Sequence, residues 1–335
     1  MKAIVYDQAG LPIDDPRALF ELEVPKPVPG PRDLLVRIEA ISVNPVDTKL
    51  RAGVQPASPR ILGWDAVGTI EAVGAEVKLF EAGDQIWYAG DITRPGSYAE
   101  YSLVDERIAA RRPASVSAVQ AAALPLTAIT AWELLFDRLR VPEGGGNGQS
   151  LLVIGAGGGV GSVLVQLASK LTALTVIGTG SRLATQTWVR ELGAHHVVDH
   201  GKPLRAQLAA VGINQVDHVI SLTHTDNYYA QIIELLKPEG QLALIDDPAT
   251  LDAMPLKRKS ISLHWEFMFT RSMFRTVDMI RQHELLDRVS NLIDQGELRT
   301  TMGEHGGAIT AENLRKAHAL LESQKAVGKI VLEGF

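Results

Sequence analysis

The sequence predicts an α/β protein: a doubly wound parallel sheet with a second, β-rich domain. Three observations carry this. Residues 151–161, LLVIGAGGGVG, run from a short apolar strand into a cluster of glycines, and the apolar-periodic SVLVQLASKL follows. Beyond residue 120, further strand-like runs, LTVIG, VDHVISL (216–222) and QLALID (241–246), alternate with helical patterns such as NYYAQIIELL. That alternation is the layout of parallel strands joined by crossover helices. Before residue 120, short runs such as LLVRIEAISV (34–43), AVGTIEAVG (66–74) and SYAEYSLV (97–104) are broken by Gly, Pro and Asp, which reads as a barrel or sandwich.

The glycine cluster between strand and helix is the arrangement of a dinucleotide pyrophosphate site of the Rossmann type. One glycine makes a tight turn, one lets backbone approach phosphate, and one lets helix pack on strand, while free N–H groups at the helix N-terminus face the negative charge. Counted back from Gly161, the fingerprint reads Ala156-x-Gly158-x-x-Gly161, with alanine where the first glycine usually stands. Gly158, Gly159, Val160 and Gly161 are therefore the expected pyrophosphate contacts. An NAD site usually places a carboxylate about 20 residues further on, against the ribose 2′-hydroxyl. Here the next strand ends at Thr179 and Gly180, with Ser181 and Arg182 following and no carboxylate nearby. A guanidinium pairs with a 2′-phosphate that a carboxylate would repel, so the expected cofactor is NADP(H).

Composition narrows the remaining classes. The chain has 335 residues, 46% of them hydrophobic and 21% charged, enough for two domains with proper cores. A formal charge of −6 gives no general attraction for nucleic acid or anionic membrane. There is no cysteine, which excludes disulfides and every thiolate zinc site. The start, MKAIVYDQAG, reads as a strand, and no apolar run of membrane-spanning length follows, so the expected location is the cytoplasm. After residue 268 the pattern changes again: helical RTVDMIRQHELLDRVSNLIDQGEL (275–298) and AENLRKAHALLESQ (311–324) precede a closing strand, GKIVLEGF. The expected domains are 1–124, 125–267 and a return segment, 268–335, that rejoins the first.

Several segments together resemble the medium-chain dehydrogenase/reductase superfamily over essentially the whole chain. They are ISVNPVDTKLRAG, PRILGWDAVGTIEAVGAEV followed by FEAGDQIW, AALPLTAITAWELL, GAGGGVG and the terminal GKIVL. The likeness is to the zinc-independent quinone oxidoreductase branch that includes zeta-crystallin, in the subset with HWEFMFTRSMF (264–274) that is often labelled zinc-type alcohol dehydrogenase. It implies a GroES-like catalytic domain beside the Rossmann domain, and a homodimer. Zinc-dependent relatives carry cysteine near position 44, Gly-His-Glu at 63–65 and a second cysteine after residue 120. This chain has Asn44, Gly63-Trp64-Asp65 and LPLTAIT. A catalytic zinc needs three protein ligands, and these positions offer at most Asp65, so no metal is expected.

The resemblance also suggests site residues. Relatives line the substrate side of the nicotinamide with Asn-x-x-Asp-x-Tyr; Asn44, Asp47 and Lys49 stand there, with lysine in place of tyrosine. Lys49 either stabilises a developing oxyanion or is a solvated lysine held by Asp47. Thr127 either orients the nicotinamide or caps a helix. Trp64 is an aromatic wall for a flat substrate or core packing. Phe267 and Met268 are the other expected pocket residues. Thr179, Leu222, Phe267, Phe269 and Lys329 join the expected cofactor contacts, Lys329 near a phosphate or ribose.

Without a strong Lewis acid, hydride addition to a quinone or an α,β-unsaturated carbonyl is the reaction expected, since the charge it creates is delocalised. The expected substrate is small, flat and apolar. Two other classes remain open on sequence: a zinc alcohol dehydrogenase and a non-catalytic NADPH-binding protein.

Overall fold

A computed structural model describes all residues, 1–335. The chain forms two compact units, one of residues 1–129 with 269–335 and one of residues 130–268.

In the second unit, strands Ser150–Ile154, Thr175–Thr179, His196–Val198, Val216–Ser221, Leu236–Leu244 and Ser262–Trp265 form one six-stranded sheet. All neighbours are parallel. Numbered by sequence within this sheet, the spatial order is 3-2-1-4-5-6, so connections reverse direction between Ser150–Ile154 and Val216–Ser221. That reversal opens the crevice where such sheets bind ligands. The first strand reads SLLVI because both its faces are covered, and every one of its residues is buried; parallel central strands are continuous apolar runs for this reason. Leu152, Ile154, Ile177, Val219 and Leu242 lie in the same core cluster with Leu204, Leu208, Ile232 and Leu235 from the helices.

In the first unit a seven-stranded sheet is centred on Asp33–Ser42, which pairs with Ala66–Val73 along one edge. Its other edge is shared: Tyr101–Asp105 takes residues 33–37 and Lys329–Glu333 takes residues 40–42. The last strand thereby bonds to the third. A three-stranded sheet of Phe20–Glu23, Lys2–Tyr6 and Arg60–Ile61 completes the unit's strands.

Three expected elements differ in extent. Residues 97–100 make scattered backbone bonds, including one isolated bridge of Ala3 with Ala99, and regular strand pairing begins at Tyr101. The expected helix 275–298 runs only Arg281–Asp294, because Arg275 takes a left-handed φ of 46° that no right-handed helix can contain. The AALPLTAITAWELL stretch splits into Ala118–Ala122 and Pro125–Trp132, since proline lacks the N–H and has the ring that stop a helix but suit its first turn. Residues Glu133–Arg138 then widen into a π-helical turn. No helix is long and apolar enough to cross a membrane.

The π-turn places two acids together. Glu133 and Glu266 are both buried, and the partly exposed Arg138 donates through Nε to Glu266 Oε2 at 2.6 Å while standing 3.9 Å from Glu133. One guanidinium cannot neutralise two buried carboxylates. Burial first, and then the charge of Glu133, push the Glu266 carboxyl up to about 9, so the pair holds a proton at neutral pH. A raised carboxyl favours folding below the ordinary glutamate range and loses that contribution as pH climbs toward the folded value. Glu266→Gln should therefore flatten the fall of stability between about pH 5 and pH 9, and leave the variant about 1–2 kcal/mol more stable than wild type at the alkaline end. Urea denaturation across that range checks this, and parallel curves for the two proteins would refute the shared proton.

Candidate functional site

The glycine loop assigns its jobs to different residues from those in the simple fingerprint. Strand Ser150–Ile154 ends at Gly155, whose φ is +83°, so the tight turn is made there, one residue before Ala156. The turn is pinned by the Gly155 N–H, which donates to Thr179 Oγ1 at 3.1 Å. Gly158 is the extended N-cap of helix Gly159–Leu171. A Cβ placed on Gly158 would meet only the Gly155 carbonyl, at 3.5 Å, whereas one on Gly161 would lie 2.4 Å from that same oxygen. Space is thus open beside the first N–H groups, including those of Gly159 and Val160, and closed one turn further in. That is the form a phosphate needs at a helix N-terminus. These residues fit a dinucleotide.

Around this loop, Ser181 and Arg182 are exposed just past strand Thr175–Thr179, and Arg182 is the N-cap residue of helix Leu183–Glu191. Leu222 follows strand Val216–Ser221, and its Cβ lies 3.3 Å from where a Gly155 side chain would begin. Thr179 is buried and braces the loop. Past strand Ser262–Trp265, Phe267 is half exposed and Met268 buried.

In the first unit the expected catalytic segment is built on a buried polar cluster. Asp65 accepts four hydrogen bonds: from Ser42 Oγ at 2.7 Å, Asn44 Nδ2 at 2.8 Å, Lys329 Nζ at 2.9 Å and the Leu126 N–H at 2.7 Å. Asn44 Nδ2 also donates to the Trp64 carbonyl at 3.1 Å, and Asn44 Oδ1 accepts from Lys329 Nζ. Lys329 Nζ donates as well to the Val43 carbonyl at 3.0 Å. The three protons of Lys329 and both Nδ2 protons of Asn44 are therefore spent within this unit. A cofactor contact from Lys329, or a substrate contact from the Asn44 amide, would require one of these bonds to break.

Asp47 is likewise turned inward. Its Oδ2 accepts from the Asn44 N–H at 2.6 Å, which fixes the start of helix Pro45–Gly53, and from Tyr98 OH at 2.9 Å. Tyr98 OH is 3.3 Å from His318 Nε2. All three side chains are buried. Burial raises the Asp47 carboxyl to about 7 against the pull of its hydrogen bonds, and lowers His318 to about 3, helped by Arg51. Lys49, on the same helix, is exposed. Of the expected catalytic trio it alone faces solvent, while Asn44 and Asp47 shape the helix that carries it.

Trp64 is buried and meets Phe269 edge to face, ring centroids 6.0 Å apart, so it packs in the unit's core. Thr127 is also buried, and its Oγ1 donates to the Leu124 carbonyl at 2.9 Å within its own helix region. Tyr98 and His318 were not foreseen. His318 lies on the buried face of helix Ala311–Glu322 with Leu314 and Ala317, a position where periodicity predicts an apolar residue.

Two family models match the chain: "Zinc-binding dehydrogenase" over residues 192–332 and "Alcohol dehydrogenase GroES-like domain" over residues 30–114. A zinc-type alcohol dehydrogenase-like protein of Staphylococcus aureus is 43% identical over 320 residues, 94% of this chain and 95% of its own. A chloroplastic quinone-oxidoreductase homolog of Spinacia oleracea is 29% identical over 99% of this chain and 98% of its own. Among solved structures, a Rhizobium etli protein provisionally described as a zinc-dependent alcohol dehydrogenase superposes with a TM-score of 0.96 at 51% identity, covering 100% of this chain and 98% of that one.

The zinc in these descriptions meets a donor set that does not fit it. Position 44 is an asparagine with its amide engaged, position 64 is tryptophan, and Asp65, the one carboxylate expected there, has its oxygens occupied by four donors. No group of three His, Cys, Asp or Glu side chains is arranged to hold a metal ion, short of what a zinc site requires.

Asp65→Asn keeps the shape of the hub and removes its charge, leaving the Lys329 ammonium buried without a counter-ion and an amide N–H facing other donors. The expected loss is about 3–5 kcal/mol of unfolding free energy, read by urea or thermal denaturation. The double variant with Lys329→Met should regain part of it. A loss below about 1 kcal/mol for Asp65→Asn would mean that the cluster is not an ionic one.

Proposed function

The chain belongs to the medium-chain dehydrogenase/reductase superfamily of NAD(P)-dependent oxidoreductases, and we propose that within it the protein is an NADPH-dependent, zinc-independent reductase of quinones or α,β-unsaturated carbonyls. The observation that carries this reading is that Asn44 and Asp65, at two of the positions where zinc-dependent relatives are expected to hold metal, are tied up with Lys329 in internally satisfied hydrogen bonds.

Bound NADPH would supply the hydride. Gly159 and Val160 would take its pyrophosphate on open N–H groups, with Gly158, whose N–H is held by the Gly155 carbonyl at 3.1 Å, leaving room for its approach, Gly161 letting the helix pack close, and Gly155 and Thr179 holding the loop in shape. Ser181 and Arg182 would take the 2′-phosphate through charge-assisted bonds. Lys49 would stabilise an oxygen that gains negative charge, as an exposed cation outside the buried network. An acceptor that spreads this charge over a conjugated system needs only such a donor. A saturated aldehyde, whose alkoxide keeps its charge on one oxygen, needs a stronger electrophile.

The nucleotide preference is tested by Arg182→Ala. NADPH affinity should fall by about 1.5–3 kcal/mol while NADH affinity stays nearly unchanged, as measured by fluorescence titration. Equal loss for both nucleotides would show that Arg182 does not read the 2′-phosphate.

The reaction class is tested by NADPH oxidation with naphthoquinones, short enones, enoyl thioesters and saturated aldehydes, each run with and without a metal chelator. Quinones or enones should turn over in both conditions and saturated aldehydes in neither. Lys49→Ala and Lys49→Met should each lower kcat by about 10²–10⁴-fold on the best acceptor. Wild-type rates in both variants would make Lys49 a surface residue, and a faster, chelator-sensitive reduction of NADP+ by ethanol, measured separately, would overturn the reductase assignment.

A further inference from the structure

Immediately after strand Val216–Ser221, on the side of the sheet's reversal point opposite the glycine loop, lies a histidine that no fold requirement explains. His224 has φ +50° and ψ +38°, a left-handed backbone on a residue that carries a Cβ. Such conformations persist where the surroundings over-determine them, and they cluster at ligand sites. The side chain does not cap the helix that follows, Thr225–Leu235. Asp246 does the holding there: it accepts from the Thr225 N–H at 2.8 Å and from Thr225 Oγ1 at 2.5 Å. Asparagine or glycine would make the same turn with less strain, so the imidazole itself needs a reason.

The ring is oriented. His224 Nδ1 lies 2.7 Å from Thr223 Oγ1, and when that hydroxyl donates, the neutral ring carries its proton on Nε2. The side chain is exposed and its Nε2 has no partner within the protein. The loop is also set directly against the glycine turn: a Cβ on Gly155 would lie 3.1 Å from Thr223 Cγ2 and 3.3 Å from Leu222 Cβ. With Thr223 as donor, an exposed N–H thus stands on the loop packed against the Gly155 turn, at the point where dinucleotides cross such sheets.

We propose that His224 Nε2 donates a hydrogen bond to the pyrophosphate of the bound dinucleotide, gripping it from the side opposite the Gly159 and Val160 N–H groups. This rests on the nucleotide reading above and adds a contact common to NADH and NADPH, in contrast to Arg182, which acts on the 2′-phosphate alone.

The test is fluorescence titration of wild type, His224→Gly and His224→Asn with each nucleotide, alongside thermal melts of the ligand-free proteins. Both substitutions suit the left-handed turn, and the Asn amide stops short of the Nε2 position. Both variants should melt at or above the wild-type temperature yet bind NADH and NADPH about tenfold more weakly, by the same factor. A merely structural histidine would give the opposite coupling, with stability and affinity falling together. Folded variants that bind both nucleotides within twofold of wild type would overturn the proposal, and so would a loss confined to NADPH. If wild type itself binds neither nucleotide, the underlying nucleotide reading fails, and the proposal with it.

Discussion

The first unit depends on one buried carboxylate. Asp65 ties its own segment to three others far from it in the chain: the end of strand Asp33–Ser42 with the Asn44 turn, the start of helix Pro125–Trp132 and the first residue of strand Lys329–Glu333. The net energy of such a buried ion pair is small, because desolvation cancels much of the attraction. Its value is geometric. Each donor around Asp65 is costly to leave unpaired in an apolar interior, so only one arrangement of these four segments satisfies all of them, and competing packings are penalised. The position of Asn44, and through its N–H the start of the helix carrying Lys49, follows from that single solution.

Why a lysine should close this cluster is clear from the charges. Asp65 and Asp47 are both buried, and Lys329 is the cation supplied within hydrogen-bonding range of the first. The second keeps its place differently. Asp47 has no cation in hydrogen-bonding contact; it takes two neutral donors, and burial lifts its carboxyl to about 7. The unit thus answers one buried acid with a counter-ion, while the other keeps neutral donors and a carboxyl raised by burial. The Glu133–Glu266 pair in the other unit uses both at once, sharing Arg138 and a proton.

What the sequence disclosed follows from how local the cause is. Four of the six strands of the parallel sheet were legible because each is an apolar run alternating with periodic helices, whereas His196–Val198 is only three residues long and Ser262–Trp265 is not a continuous apolar run, so neither shows as a strand. The glycine loop was legible for the same reason, although the turn falls on Gly155, since a fingerprint counts spacings and not φ angles. The polar cluster was illegible because its members are far apart in the chain: Lys329 and Asp65 are 264 residues apart, and Tyr98 and His318 are 220 apart. Resemblance pointed to Asn44, Asp47 and Lys329 as residues of interest, but hydrogen-bond direction decides what each side chain can do, and direction is a tertiary property. The shortened helix before Arg281 failed similarly, since nothing in the chemistry of Arg275 signals its left-handed backbone.

The same accounting separates two ways of supplying positive charge to a reaction. A metal ion held by three ligands keeps a coordination position free, so its charge is available to a substrate oxygen. An ammonium with three acceptors has no such vacancy: Lys329 is as cationic as a ligand-bound metal is electrophilic, but all three of its protons already point at Val43, Asn44 and Asp65. Charge that is fully solvated by the protein can organise a site without doing chemistry in it. On the proposed reading, the electrophile must then be a group outside the cluster, and the weaker that group is, the more of the stabilisation the acceptor itself must provide by delocalising its charge. The choice of a conjugated acceptor is in this sense a consequence of how thoroughly Asp65 and its partners satisfy one another.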